Sequence, residues 1–156
     1  MAQAYHPDAY AMQAIIALSN GLERELARLL GLNATDYRAL STLQQLPRDK
    51  AVTLGDLGGA LGTSAATTSA LVDRLERACY VVRRRGEVDR RQVTLETTPL
   101  GWTRIMALMR PLMDATDDHL KALNADEVRA VSAFLRFMNT CLAERLEALA
   151  TLESAQ

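Results

Sequence analysis

Long apolar runs are missing from this chain of 156 residues: its uninterrupted apolar stretches are only a few residues long, whereas a membrane-spanning helix needs about 20. The opening MAQAYHPDAY also lacks the basic-then-apolar order of a secretory signal, and the expectation is a cytoplasmic protein with no membrane partner. Cysteine is scarce. Cys79 and Cys141 have no close partner of the kind that binds zinc, and two cysteines cannot build a disulfide framework for a domain of this size, so both read as reduced thiols. With only His6 and His119, a metal site would have to recruit carboxylates such as Asp8, Asp114, Asp117 or Asp118, and no metal or cofactor is expected. A glycine-rich phosphate loop and a nucleophile with a matching base are also missing, which argues against an enzyme. There is no internal repeat, low-complexity tract or obvious second domain.

What is present suits one globular domain with a real core: 49% of the residues are apolar, within the size range of roughly 100–200 residues for a single domain. The net charge of −1 hides an uneven distribution. Between positions 74 and 91, Arg74, Arg77, Arg83, Arg84, Arg85, Arg90 and Arg91 stand against Glu76, Glu87 and Asp89, a local +4 that leaves −5 for the rest. A basic site on an acidic body fits a module that binds a polyanion.

Apolar periodicity at Ile15, Leu18, Leu22, Leu26 and Leu29, ended by Gly31, predicts a first helix. Thr35 can cap a second, carrying Tyr37, Leu40, Leu43 and Leu46, which Pro47 stops. Thr53 opens a short helix with Leu54, Leu57 and Leu61, weakened by Gly58 and Gly59 at roughly 1 kcal/mol each. Gly62 and Thr63 make a turn, and Ser64 caps a longer helix that buries Leu71, Val72 and Leu75 while Thr67, Thr68 and Arg74 face outward.

Two helices joined by a short glycine-containing turn are a helix-turn-helix. VVRRR and VTLET then flank GEVDRRQ as a two-stranded hairpin with a long tip. Thr98 and Pro99 start a further helix with an apolar face at Ile105, Leu108, Met109 and Leu112, which Pro111 should bend. Asn124 and Glu127 form a near capping box for the last helix. Its Val128, Val131, Leu135, Met138, Leu142, Leu146 and Leu149, with Phe134, Phe137 and Cys141 alongside, carry more apolar surface than one small neighbour would bury. A subunit interface is therefore expected there and on the first helix, through Leu18, Leu22, Val131, Leu135, Met138, Leu142 and Leu146.

A helix-turn-helix followed by a basic hairpin is suited to double-stranded DNA, with the second helix in the major groove and the hairpin reaching the adjacent minor groove. Arginine serves both, since it stays charged, holds phosphate bidentately and is drawn to a narrow minor groove. The candidate contacts are Ser64, Thr67, Thr68, Ser69, Arg74, Arg83, Arg85, Arg90 and Arg91, whereas Arg77 and Arg104 could equally belong to a solvated face.

The run LGTSAATTSALVDRLERACYVVRRRGEVDRRQVTLETTPLG resembles the DNA-binding region of the MarR family of winged-helix regulators, most sharply in LVDRLE from Leu71 to Glu76 and in the Asp-x-Arg of Asp89, Arg90 and Arg91. The resemblance extends over roughly positions 10–150 and implies a mainly α fold with a small β-hairpin wing (α+β). Residues 33–98 would form the DNA-binding region, with a recognition helix over about 64–78 and a wing over about 81–97; residues 1–32 and 99–156 would form the dimerisation region. It implies that Asp89 braces Arg91, which enters the minor groove, and that a homodimeric repressor releases a pseudo-palindromic operator when a small-molecule effector occupies a pocket. Tyr10, Tyr37, Trp102 and Met106 are candidates to line that pocket.

The chain departs from the family pattern in three places. Ala65, Ala66 and Ala70 stand where relatives often carry lysine, serine or arginine, which leaves few hydrogen-bonding groups near base edges and shifts weight to thymine methyls and DNA shape. Cys79 stands where relatives usually have glycine, so the turn there is either different or strained. Thr97 replaces the usual leucine before the fifth helix. Two alternatives remain open at this level: a winged-helix module that binds a protein partner, and a redox-responsive regulator acting through Cys79, for which a buried, inert thiol is the simpler reading.

Overall fold

The computed structural model describes residues 5–47, 51–85 and 93–153. The elements are α1 (Pro7–Leu30), α2 (Ala34–Gln45), α3 (Leu54–Leu61), α4 (Ala65–Arg77), β1 (Val81–Arg85), β2 (Val93–Thr97), α5 (Pro99–Ala122) and α6 (Ala125–Glu153). The chain divides into two compact units, Met1–Leu108 and Met109–Gln156.

Helix ends follow local chemistry. α1 starts well before the first periodic leucines, with Pro7 in its first turn and the His6 ring accepting from the Asp8 amide at 3.3 Å, and it ends at Gly31 in the left-handed conformation. α2 corrects the sequence reading. Asn33, not Thr35, is its cap: the Asn33 side-chain oxygen accepts from the Asp36 amide and its Nδ2 donates to the Asp36 carboxylate, both at 2.8 Å. Thr53 and Asp56 form a full capping box on α3. Asn124 and Glu127 do the same for α6, the Glu127 carboxylate accepting from the Asn124 amide at 2.8 Å. α5 remains helical through Pro111.

The core of the first unit gathers Leu26 and Leu30 of α1, Tyr37, Leu40 and Leu43 of α2, Leu57 of α3, and Leu71, Val72 and Leu75 of α4. Tyr80, Val81, Leu95 and Ile105 complete it. Each such side chain contributes about 1.5–3 kcal/mol by leaving water. Burial pushes the Tyr37 phenol above its ordinary pKa, with the Glu23 carboxylate adding to the rise. β1 and β2 pair antiparallel with Val81 opposite Thr97 and Arg85 opposite Val93. A third extended piece, unexpected from the sequence, flanks them: the Leu95 amide donates to the Val52 carbonyl at 2.7 Å, and Thr53 bridges Thr94.

In the second unit the apolar residues of α6 stay open: no described residue of the helix is buried, and Phe134, Leu135, Phe137, Leu142 and Leu146 are exposed. Among the described residues, no helix is long and apolar enough to cross a membrane.

Candidate nucleic-acid interface

The turn between α3 and α4 is set by Gly62, left-handed with its amide bonded back into α3, and by Ser64, whose Oγ accepts from the Thr67 amide at 3.2 Å. The two helices approach closely because Gly58 has no side chain: a Cβ there would lie 2.8 Å from Thr68 Oγ1. Thr68 is fully buried, donates to the Ser64 carbonyl at 3.0 Å and shares a 2.9 Å hydrogen bond with Thr63. This corrects the expectation that Thr68 faces outward. It locks the helix-turn-helix together, and its spacing already placed it on the stripe of Leu71, Val72 and Leu75. The glycine counted as a cost to α3 is what admits this contact.

The outward face of α4 carries Ala65, Ala66, Thr67, Ala70, Asp73 and Arg77, all exposed. Ser64 is also exposed, and its hydroxyl and that of Thr67 are 2.9 Å apart and bonded to each other. Ser69 is half-buried, its carbonyl accepting from Arg83 at 3.3 Å.

The arginines divide into two groups. Arg74 does not face outward unengaged: its Nε and Nη2 hold the buried Asp36 carboxylate at 2.7–3.0 Å, tying α4 to α2. The hydrogen bond to Asp36 raises the pKa of the guanidinium above its ordinary value. Arg83 is the strap between the wing and α4. Its amide donates to Glu76 at 2.9 Å, and its guanidinium pairs with Glu76 and, at 2.7 Å, with Asp73. Both Arg74 and Arg83, expected among the DNA contacts, thus direct their charges at carboxylates of the fold. Arg84 pairs across the hairpin with Glu96 at 3.4 Å. Arg77 and Arg85 are exposed. Arg104 lies 5.8 Å from the centre of the Tyr80 ring, a cation–π contact. Asp89, Arg90 and Arg91 lie outside the described residues.

Tyr80, which the sequence did not single out, anchors the base of the wing. It is buried, its hydroxyl donates to the Leu30 carbonyl at 2.7 Å, and its backbone leaves room for Gly101 alone, since a Cβ there would lie 2.8 Å from the Tyr80 carbonyl oxygen. The α4 terminus is a Schellman turn: the Cys79 amide donates to Glu76 and the Tyr80 amide to Leu75, both at 2.9 Å. Cys79 takes the left-handed position with φ 63°, so the turn keeps its usual form and places a strained non-glycine residue in it. Its thiol is exposed, which corrects the buried reading, while Cys141 is half-buried.

An open cleft of about 710 Å³ lies beside the hairpin, lined by Leu43, Leu46, Val52, Leu95, Pro99 and Trp102. Gln44 also lines it, and its buried Nε2 has no hydrogen-bond partner. Of the expected pocket residues only Trp102 borders this cleft; Tyr37 belongs to the core, Tyr10 is exposed and Met106 is half-buried. Of the expected interface residues, Leu18, Leu22, Leu135, Leu142 and Leu146 are exposed, and Val131 and Met138 are half-buried.

Comparison with known proteins agrees with this geometry. A MarR family model matches residues 30–92. The chain is 33% identical over 123 residues to the HTH-type transcriptional regulator YcgE of Bacillus subtilis, covering 79% of this chain and 78% of that one. It is 26% identical over 103 residues to the transcriptional repressor MprA of Escherichia coli K12, spanning 66% of this chain and 58% of that protein. Among solved structures, a MepR mutant from Staphylococcus aureus shares the fold at 19% identity with a TM-score of 0.69, over 89% of this chain and 99% of that one. A MepR–DNA complex superposes with a TM-score of 0.55 at 20% identity, over 86% and 98%. The chain belongs to the MarR family and is a winged helix-turn-helix transcriptional regulator.

Proposed function

We propose that this protein is a cytoplasmic homodimer that binds double-stranded DNA, with α4 in the major groove and the wing at the adjacent minor groove, and that it represses transcription until a small molecule releases it. The observation that carries the reading is the Arg83 strap: its pairs with Asp73 and Glu76 hold the hairpin against the recognition helix, so groove and backbone contacts act as one rigid unit. Arg77 and Arg85, with Arg90 and Arg91 of the wing, supply phosphate and groove contacts, and Asp89 braces Arg91, as the family resemblance implies. The exposed leucines of α1 and α6 form the dimer contact, which covers apolar surface that water would otherwise meet.

The cleft beside Trp102 is the candidate effector site. One of its walls is β2 itself, so a bound molecule would press on the wing. DNA fragments selected by the purified protein from a random duplex library test the reading. Enrichment of a pseudo-palindrome with half-sites about one helical turn, roughly 10 base pairs, apart supports it. No enrichment at low or moderate salt contradicts it and favours a partner-binding module instead.

A further inference from the structure

We propose that α4 reads its half-site chiefly through apolar contact with thymine C5-methyl groups, with Ala66, Thr67 and Ala70 as the specificity-determining residues. The inference rests on the DNA-binding reading above and concerns what base-edge chemistry that interface recognises.

Guanine is commonly read by arginine or lysine and adenine by asparagine or glutamine, whereas alanine and the threonine methyl suit the thymine methyl. None of the four polar readers occurs between Ala65 and Asp73. Arg74 and Arg83 are turned elsewhere, Arg74 onto Asp36 and Arg83 onto Asp73 and Glu76. The short hydroxyls are engaged as well: Thr68 is buried, and those of Ser64 and Thr67 bond to each other. Ala66, Ala70, Asp73 and Arg77 fall at i, i+4, i+7 and i+11, one stripe of the helix with Thr67 beside it, and all five are exposed. A groove facing this stripe therefore meets methyl groups first. Asp73 follows with its carboxylate held by Arg83, and Arg77 stands at the far end, placed for backbone rather than base edges.

The test uses the full-length protein and the operator recovered by selection. Each thymine is replaced in turn by deoxyuridine, which removes only the C5-methyl from the major groove and leaves every hydrogen-bonding group and the minor groove unchanged. Affinity is followed by fluorescence anisotropy. Each replacement beneath α4 should weaken binding about fourfold, the factor for burying one methyl-sized group. Thr67→Ser, which keeps the hydroxyl and loses the methyl at an exposed position, should abolish the sensitivity of the thymine it faces. Salt-dependent binding that is indifferent to deoxyuridine overturns this inference and leaves the DNA-binding reading standing. Binding to no duplex at all overturns both.

Discussion

Among the described residues, every buried side chain lies in the unit Met1–Leu108, and the unit Met109–Gln156 has none. Both are rich in leucine, so composition does not separate them. In the first, short helices and a hairpin converge on Leu40, Leu57, Leu71 and Leu75, and polar links such as Arg74–Asp36 and Tyr80–Leu30 join segments far apart in sequence. In the second, the 29-residue α6 presents leucine and phenylalanine along its length, and none of its described residues is buried. A region of the first kind is stabilised by its own fold. One of the second kind gains stability from what it associates with, which is where the proposed dimer contact belongs.

The sharpest way to break that contrast is Leu142→Glu on α6. A charge in the proposed contact should abolish the dimer at micromolar concentration in sedimentation equilibrium and remove the concentration dependence of Tm; an unchanged dimer would place the interface elsewhere. Next in size, Leu75→Ala in the self-contained core should cost about 2–5 kcal/mol in urea unfolding, whatever the protein concentration at which folded dimer is retained. A cost near zero would mean that α4 is not held by that core.

Gly58→Ala should cost about 1–3 kcal/mol, because the new Cβ meets Thr68 Oγ1. The cost should shrink in a Thr68→Ala background; additive costs would separate the two residues. The smallest effect is a gain: Cys79→Gly should stabilise by about 0.5–1 kcal/mol, since glycine adopts the left-handed position without the Cβ clash. A loss would mean that the thiol makes a contact worth more than the strain.

The two kinds of region were also unequally legible in the sequence. Local signals read well. The runs VVRRR and VTLET occupy β1 and β2, Gly31 and Gly62 sit beyond helix ends, and the capping residues Thr53, Ser64 and Asn124 stand where their spacing placed them. Asn33 was misread in favour of Thr35 although Asn33 and Asp36 have the reciprocal capping spacing. Thr68 was misread because a polar residue near a helix start suggests solvent, while its i+3, i+4 and i+7 neighbours are all core.

The partners of the arginines were beyond reach. Asp36 is 38 residues from Arg74, and Asp73 and Glu76 meet Arg83 only because the wing folds back onto α4. Counting charge between positions 74 and 91 therefore overstated the cations that face outward, since Asp36, Asp73 and Glu96, all outside that window, neutralise part of it. The third extended segment at Val52 and Thr53 is two residues of backbone pairing with no side-chain pattern to announce it.

The central claim is that the exposed Arg85, together with Arg91, rather than the arginines engaged by the fold, carries DNA affinity. Its most direct test is the salt dependence of operator binding by the parent, Arg85→Ala and Arg91→Ala. The account predicts a steep linear fall of log K with log salt for the parent, and weaker binding with a slope shallower by about one for each variant. A parent whose affinity is flat in salt, or variants that match it in both affinity and slope, would contradict it.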